Sequence, residues 1–315
     1  MLLTLFRSFY IQNYPNDMEQ CIDSFSVFGG FNRAINLDID TNTLITKHIL
    51  ENYGELYNSI ASLIDDDEDC RRLLSAIAIG DRRTHSAFKR AHLSTARGHT
   101  ALNLLLQKSI ISLERSREQA PKKLYPKQHL KREISRHKIS HKMRFKLPFL
   151  RFWFYFIRPY HKNIEIGDFE TVLENYNKHK QAFSGYIFEE LSNLLLYHVS
   201  REKIINSGSY WDRQVEIDLL AINEKREIIV GECKWTNHKV NKKELHKLEE
   251  KCAKVGFKAD CIILFSKRGF SNELIQTADN RLKLYSAEDF KILLKNIKED
   301  EILPSVFHPI HKKLN

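Results

Sequence analysis

The chain has 315 residues, of which 42% are hydrophobic and 29% are charged, and its formal net charge is +10 at pH 7. This composition fits an ordinary globular protein of about two domains and excludes collagen-like and predominantly disordered chains. The positive balance favours a polyanionic partner. The five cysteines are scattered and form no CxxC pair, which argues against a zinc site or a disulfide framework and favours the reducing cytoplasm.

Residues 1–60 form a predicted helical segment without a chemical signature. The apolar run at the start is interrupted by Arg7 and is not followed by a small-residue cleavage site, so we do not expect a signal peptide. An acidic run at 65–69 precedes an apolar-periodic segment. Carboxylates at that position cap a helix and complement its dipole, so capping is favoured over a cation site.

Residues 61–148 are predicted to form a mainly α domain of the winged-helix type. Apolar spacing indicates one helix after Cys70, a second over 84–90 and a third over 93–108, and a strand begins near Ile110. Three short helices followed by a hairpin are typical of a winged helix, a module that binds DNA.

Positive charge is concentrated between residues 122 and 146, where ten Lys or Arg residues are opposed only by Glu133. From 138 to 146 apolar and basic residues alternate, and period two predicts a strand with a row of cations on one face. Such a row can follow a phosphate backbone, although a solvated basic linker is the alternative. The predicted nucleic-acid contacts on this strand and on the third helix are Lys138, Lys142, Arg144, Lys146, Arg97 and Lys108.

Residues 149–180 are predicted to be connecting helices. They include the aromatic run FLRFWFYFIRPY at 149–160, which is too short and too charged to span a bilayer. We therefore expect a core helix there and no membrane partner.

Residues 181–315 carry the pattern of an α/β domain. Helices are predicted at 168–180 and from 183 to 200, strands at 213–222, 227–236 and 259–265, and a helix between the last two strands at about 242–255. The order of helix, strand, strand, helix and strand is typical of a small α/β sandwich.

Two neighbouring strands place acids and a lysine among apolar residues. In 213–222, alternation predicts that Ile217 and Leu219 share one strand face and that Asp218 lies on the other. In 227–235, Glu232 and Lys234 are two residues apart and share a face. A turn at 223–226 joins the strands into a hairpin, which can bring Asp218 beside Glu232 and Lys234.

These residue types fit phosphodiester hydrolysis. A hard divalent cation such as Mg²⁺ or Mn²⁺ is held by carboxylates and water, here Asp218 and Glu232, and it activates a bound water. A lysine such as Lys234 orients that water or stabilises the developing negative charge. The alternative is a surface salt-bridge network on an amphipathic hairpin.

The set Asp218, Glu232 and Lys234 resembles the PD-(D/E)XK nuclease signature. More narrowly, GYIFEE (185–190), VEIDLLA (215–221), GECKW (231–235) and LPFLRFWFYFIRP (147–159) resemble a domain of unknown function at the C-terminus of archaeal and bacterial AAA-type ATPases. The resemblance implies a restriction-endonuclease-like fold with Asp218 and Glu232 as metal ligands and Lys234 as the catalytic lysine. It favours Glu189 as the helix-borne acid, although the adjacent Glu190 is an alternative.

The chain departs from these relatives in one respect. No GxxxxGK[ST] motif is present, so we expect no bound nucleotide, and any ATPase would be a separate partner protein.

Two classes of function remain open at this point. The first is a metal-dependent DNA endonuclease that a winged helix targets to DNA. The second is a catalytically silent DNA-binding or regulatory protein, or a partner of a separate ATPase. A second copy of the chain is a further candidate partner.

Overall fold

The computed structural model describes residues 1–31, 34–119, 125, 128–129, 137–298 and 302–303. These residues form a helical N-terminal region followed by a mixed five-stranded sheet with helices on its faces. The chain is therefore mixed α/β, with the helical part first, as the sequence predicts.

Short helices make up the N-terminal segment, and polar side chains start several of them. The helices are α1 (Leu2–Asn13), α2 (Met18–Phe28), α3 (Thr41–Ile45), which continues into a π-helical turn (Thr46–Leu50), and α4 (Tyr53–Leu63). Asp17 begins α2 by accepting a hydrogen bond from the Gln20 N–H at 2.7 Å. Asp40 begins α3 in the same way through the N–H of Thr43. Both caps satisfy helix N–H groups that have no partner inside the helix.

Three helices and a two-stranded sheet follow. They are α5 (Glu68–Ile79), α6 (Thr84–Arg90), α7 (Thr95–Gln107), β1 (Ile111–Glu114) and β2 (Lys142–Phe145). The two strands are antiparallel. The predicted order of elements is thus confirmed, although β2 is shorter than the predicted 138–146. Asp67 accepts from the Cys70 N–H at 2.7 Å, so the acidic run does cap α5.

The aromatic run is buried. It forms α8 (Pro148–Phe152), a π-helical turn (Trp153–Ile157) and a 3₁₀ turn (Arg158–Tyr160), and α9 (His161–Glu165) follows. Phe156 packs edge-on against Phe183, with ring centroids 5.0 Å apart. The predicted core helix is confirmed, and no helix in the described ranges is long and apolar enough to cross a bilayer.

The sheet has the strand order β3-β4-β5-β6-β7. Its members are β3 (Ile204–Trp211), β4 (Glu216–Asn223), β5 (Ile228–Lys234), β6 (Cys261–Ser266) and β7 (Leu282–Ser286). The first three strands pair antiparallel and the last three parallel. Strands β3 and β7 were not predicted, whereas the others lie close to their predicted positions.

Helices cover both faces of the sheet. On one face lie α10 (Glu170–Val199) and a 3₁₀ helix (Ala287–Leu294). On the other face lie α11 (Lys242–Val255) and α12 (Asn272–Thr277). The sequence predicted two helices where α10 is continuous. The predicted gap holds only Gln181 and Ala182, which are good helix formers, so nothing there interrupts the helix.

A β-bulge lies in the middle of β4. Gly208 pairs with Leu220 and Tyr210 pairs with Ile217, so Asp218 and Leu219 together oppose the single residue Ser209. Ile217 consequently packs into the core on the α11 side, whereas Leu219 packs on the α10 side. The prediction that Ile217 and Leu219 share one face is wrong, because the bulge shifts the alternation by one residue.

One large hydrophobic core connects the N-terminal helices with the sheet. Two long-range hydrogen bonds reinforce this connection. The buried Arg7 donates through Nε to the carbonyl of Leu293 at 2.7 Å, and Trp235 donates through Nε1 to Asp23 at 2.9 Å. The N-terminal segment therefore packs directly against the elements that support β5.

Candidate functional site

Asp218 lies at the bulge, where strand β4 meets β5. The carboxylate accepts a hydrogen bond from the backbone N–H of Cys233 at 2.8 Å. The pairing of Leu219 with Gly231 brings this part of β4 alongside the end of β5 that carries Glu232. Burial, followed by the nearby carboxylates of Glu189 and Glu232, raises the pKa of Asp218 well above its ordinary value. The site therefore brings three carboxyl groups together in a poorly solvated place, which disfavours the charged form of Asp218.

Glu189 reaches the same place from helix α10, which crosses the face of the sheet. Burial raises the pKa of Glu189, the Arg82 guanidinium opposes this shift, and the Glu190 carboxylate adds to it. The neighbouring Glu190 forms an ion pair with Arg144. Of the two candidate acids, Glu189 is the one whose charge raises the pKa of Asp218.

Glu232 is held by two lysines. Only 6% of Glu232 is exposed, and Lys251 of α11 contacts both of its carboxylate oxygens, at 2.7 and 2.9 Å. Lys234 contacts one of them at 2.7 Å. Burial lowers the pKa of Lys234, but the Glu232 carboxylate outweighs that effect, and the net pKa is raised. The Lys234 ammonium is therefore charged at neutral pH.

The structure thus brings together all four predicted site residues, Glu189, Asp218, Glu232 and Lys234. Within the ranges described, no three His, Cys, Asp or Glu side chains are arranged to hold a metal ion by themselves. The oxygen donors of Asp218 and Glu232 are nonetheless of the type that Mg²⁺ uses, because it binds through one or two carboxylates and completes its shell with water and phosphate oxygens.

Sequence reasoning missed two cations beside these carboxylates. Lys251 lies three residues after Leu248 at the flank of the apolar stripe of α11, where a lysine is ordinarily a solvated residue. Arg82 precedes α6, has a positive φ of 64° and lies with its guanidinium 4.2 Å from the Tyr186 ring centroid. Both approach the site from elsewhere in the chain, so no local spacing indicates them.

Comparisons with known proteins find similarity in the part of the chain that carries the candidate site. The family DUF234, described as archaea bacterial proteins of unknown function, matches residues 153–248. A protein of Methanocaldococcus jannaschii with the name Uncharacterized protein MJECL04 is 30% identical over 99 residues, which are 29% of this chain and 22% of that protein. No solved structure matches. The family match includes Glu189, Asp218, Glu232 and Lys234, and it ends before Lys251.

The predicted basic strand face is not a free row of cations. Lys142 is 1% exposed and forms an ion pair with Glu216, and its ammonium lies 4.5 Å from the Trp211 ring centroid. Arg144 forms ion pairs with Glu114 and Glu190. The prediction that Lys142 and Arg144 face solvent as phosphate contacts is wrong, because both cations form ion pairs with acids of β1, β4 and α10.

The other predicted contacts are more accessible. Lys138 is exposed and Lys146 is partly exposed. On α7 and directly after it, Arg97 pairs with Asp69 at 2.5 Å and Lys108 pairs with Asp65 at 2.8 Å. Each of these two charges is therefore matched by one acid. The remaining cations of the basic stretch lie outside the described residues: Lys122, Lys123, Lys127, Lys131, Arg132 and Arg136.

Proposed function

We propose that the chain is a metal-dependent nuclease with a restriction-endonuclease-like C-terminal domain. The observation that carries the proposal is the convergence of Glu189, Asp218 and Glu232, from one helix and two strands, beside the charged Lys234. A buried carboxyl group whose pKa is raised by burial and by neighbouring carboxylates, as that of Asp218 is, is typical of functional sites. A β-bulge such as the one at Asp218 is also common next to active sites, where it redirects a side chain.

The residues divide the chemistry between them. Asp218 and Glu232 would hold a divalent cation, which when bound withdraws charge from the phosphoryl oxygen and lowers the pKa of a water molecule. The ammonium of Lys234 would stabilise negative charge that develops on the phosphate. Glu189, whose pKa burial raises, would accept a proton from the attacking water as the general base. Arg82 would compensate the negative charge of this acid.

The proposed substrate is DNA, bound with help from a winged-helix module. Support comes from the order α5, α6, α7, β1, β2, which is that of a winged helix, and from the net charge of +10. This module also forms ion pairs with the sheet: Arg83, just before α6, lies 3.4 Å from Glu216. A duplex held by the module would therefore lie beside the carboxylates.

Cleavage of a supercoiled plasmid with Mg²⁺ or Mn²⁺ tests the proposal. We expect Asp218→Asn and Glu232→Gln to lower the rate by about 100-fold or more, because each removes a charged ligand without changing its shape. Lys234→Met should lower the rate while metal binding, measured by calorimetry, is retained.

Glu227→Gln is the matched control, since it removes an exposed acid just before the same strand β5. Its rate should equal that of the wild type. Equal nicking by the wild type and Glu232→Gln, purified in parallel, would refute the assignment of the site.

One observation favours the second candidate, a DNA-binding protein with a silent site. Lys251 already contacts both carboxylate oxygens of Glu232, as in a purely structural ion cluster. In that case the wild type binds DNA but shows no cleavage at any concentration of Mg²⁺ or Mn²⁺. The plasmid experiment therefore separates the two candidates.

A further inference from the structure

A groove of about 470 Å³ lies between helices α5 and α6 and the 3₁₀ turn at the end of the aromatic run. Basic side chains from three segments line it: Arg71, Arg72, Arg90, Arg158, His92 and His161. We call this site the basic groove. Glu68 is the acid among its lining residues, and Ala76 and Ile79 contribute an apolar surface, with Ile79 48% exposed.

Positive charge in the basic groove exceeds the acids that neutralise it. Glu68 is shared between Arg71, within ion-pair distance, and Arg72 at 3.0 Å, and Asp66 gives Arg71 a second partner. Arg90 is exposed, and no described residue forms an ion pair with it. The four guanidinium groups thus meet two acids.

Arg158 adds a fourth guanidinium to the wall of the basic groove. Its Nη1 donates to His161 Nδ1 at 3.0 Å. The planar fork of a guanidinium matches the oxygens of a phosphate group.

We propose that the basic groove binds the phosphate backbone of nucleic acid. Clustered arginines from separate segments give the electrostatic footprint of a polyanion site, and the exposed apolar surface between them suits the sugars. In this proposal the phosphate contacts come from the basic groove and not from the basic face of β2, because Lys142 and Arg144 of β2 form ion pairs with acids. This inference deepens the proposed function, since it names the surface that would hold the substrate, but binding can be measured without cleavage.

The test is fluorescence anisotropy with a labelled duplex of about 25 base pairs, in EDTA, as the salt concentration is raised from about 50 to about 200 mM. The groove variant is Arg72→Ala/Arg90→Ala, which removes two exposed cations. The matched control is Lys225→Ala/Lys291→Ala, which removes two exposed cations outside the predicted DNA-binding surfaces, each paired with one acid. Arg72→Lys/Arg90→Lys keeps the charge and controls for loss of structure.

Losing two phosphate contacts should reduce the slope of log Kd against log salt by about 1.8. Between the two salt concentrations the wild type should then lose about 12-fold more affinity than the groove variant does. The lysine variant and the matched control should keep the slope of the wild type. The proposal would be overturned if the groove variant kept the salt slope of the wild type, or if the matched control lost as much of that slope as the groove variant.

Poly-glutamate serves as the competing polyanion. Binding of poly-glutamate that is lost in the groove variant, with the DNA slope unchanged, would assign the groove to an acidic protein segment and overturn the proposal. The two proposals also fail separately. A reduced salt slope in the groove variant, together with no plasmid cleavage by the wild type, refutes only the nuclease. Plasmid cleavage by the wild type, together with an unchanged salt slope in the groove variant, refutes only the binding of DNA by the basic groove.

Discussion

At the scale of single residues, the most informative contact is that of Lys251 with Glu232. A buried carboxylate with two ammonium partners is well compensated without a metal ion, since Lys251 and Lys234 both lie within 2.9 Å of it. A cation that binds to Glu232 must therefore compete with Lys251. This competition makes metal affinity depend on a residue outside the acid–acid–lysine motif.

Replacing Lys251 should reveal that competition. We expect Lys251→Met to tighten Mn²⁺ binding roughly tenfold, because a hydrogen bond to a charged group contributes about 1.5 kcal/mol or more. Isothermal titration calorimetry without DNA measures the change. Lys247→Met is the control, since Lys247 lies four residues earlier on the same helix and pairs with Glu244 at 2.6 Å. Weaker Mn²⁺ binding by Lys251→Met, or an equal gain in the control, would contradict the competition.

The site could be predicted from the sequence as far as local spacing reaches. Glu232 and Lys234 share a strand, and their acid partner Asp218 lies in the adjacent hairpin strand, so alternation and one turn bring them together. Lys251 and Arg82 could not be predicted, because they reach the carboxylates only through tertiary packing. The sheet face on which the β4 residues after the bulge lie, such as Leu219, was also mispredicted, since the bulge depends on the pairing with β3.

At the scale of elements, strand β2 shows how an alternating pattern can mislead. Period two correctly indicates that Met143 and Phe145 are buried. The cations that alternate with them, Lys142 and Arg144, also contact other parts of the protein. The sequence gives no sign of this, because Glu216 lies 74 residues after Lys142. Strand β3 was missed for a related reason, because its residues Asn206 to Ser209 show no alternation of apolar and polar side chains. Their backbone pairs with the distant strand β4, and the Ser209 N–H donates to Glu114.

The pair of Lys142 and Glu216 should respond asymmetrically to substitution. Glu216→Ala leaves a cation that is 1% exposed without its main partner, which costs about 3 kcal/mol of unfolding free energy. Lys142→Met should cost less, because Glu216 stays partly exposed and keeps Arg83 at 3.4 Å. The double variant should recover most of the loss. Urea denaturation measures all three free energies.

Glu250→Ala, at an exposed position of α11, controls for the loss of one acid. If Glu216→Ala were no more destabilising than Lys142→Met, the cation would have an alternative partner or access to water. In that case β2 would again be available as a surface for phosphate.

At the scale of the whole molecule, the helical segment 1–60 takes part in the same core as the sheet. Phe188, Trp235 and Phe290 form an aromatic cluster behind β5, in which the Phe188 ring centroid lies 4.6 Å from that of Trp235 and 4.9 Å from that of Phe290. Helix α2 packs on this region, and Asp23 accepts the indole hydrogen bond of Trp235. The boundary predicted at residue 60 therefore separates segments that share a hydrophobic interior.

Removal of residues 1–60 should consequently destabilise the sheet that carries the candidate site. The deletion exposes apolar surface of α10 and the 3₁₀ helix, and each buried aromatic side chain contributes about 1.5–3 kcal/mol. We expect the full chain to unfold in urea with coincident curves by tryptophan fluorescence and by circular dichroism, as one cooperative unit. The shortened chain should bind the dye ANS and unfold at a lower midpoint. A shortened chain with an unchanged midpoint would show instead that residues 1–60 are an independent domain, and that the support of β5 comes from α10 alone.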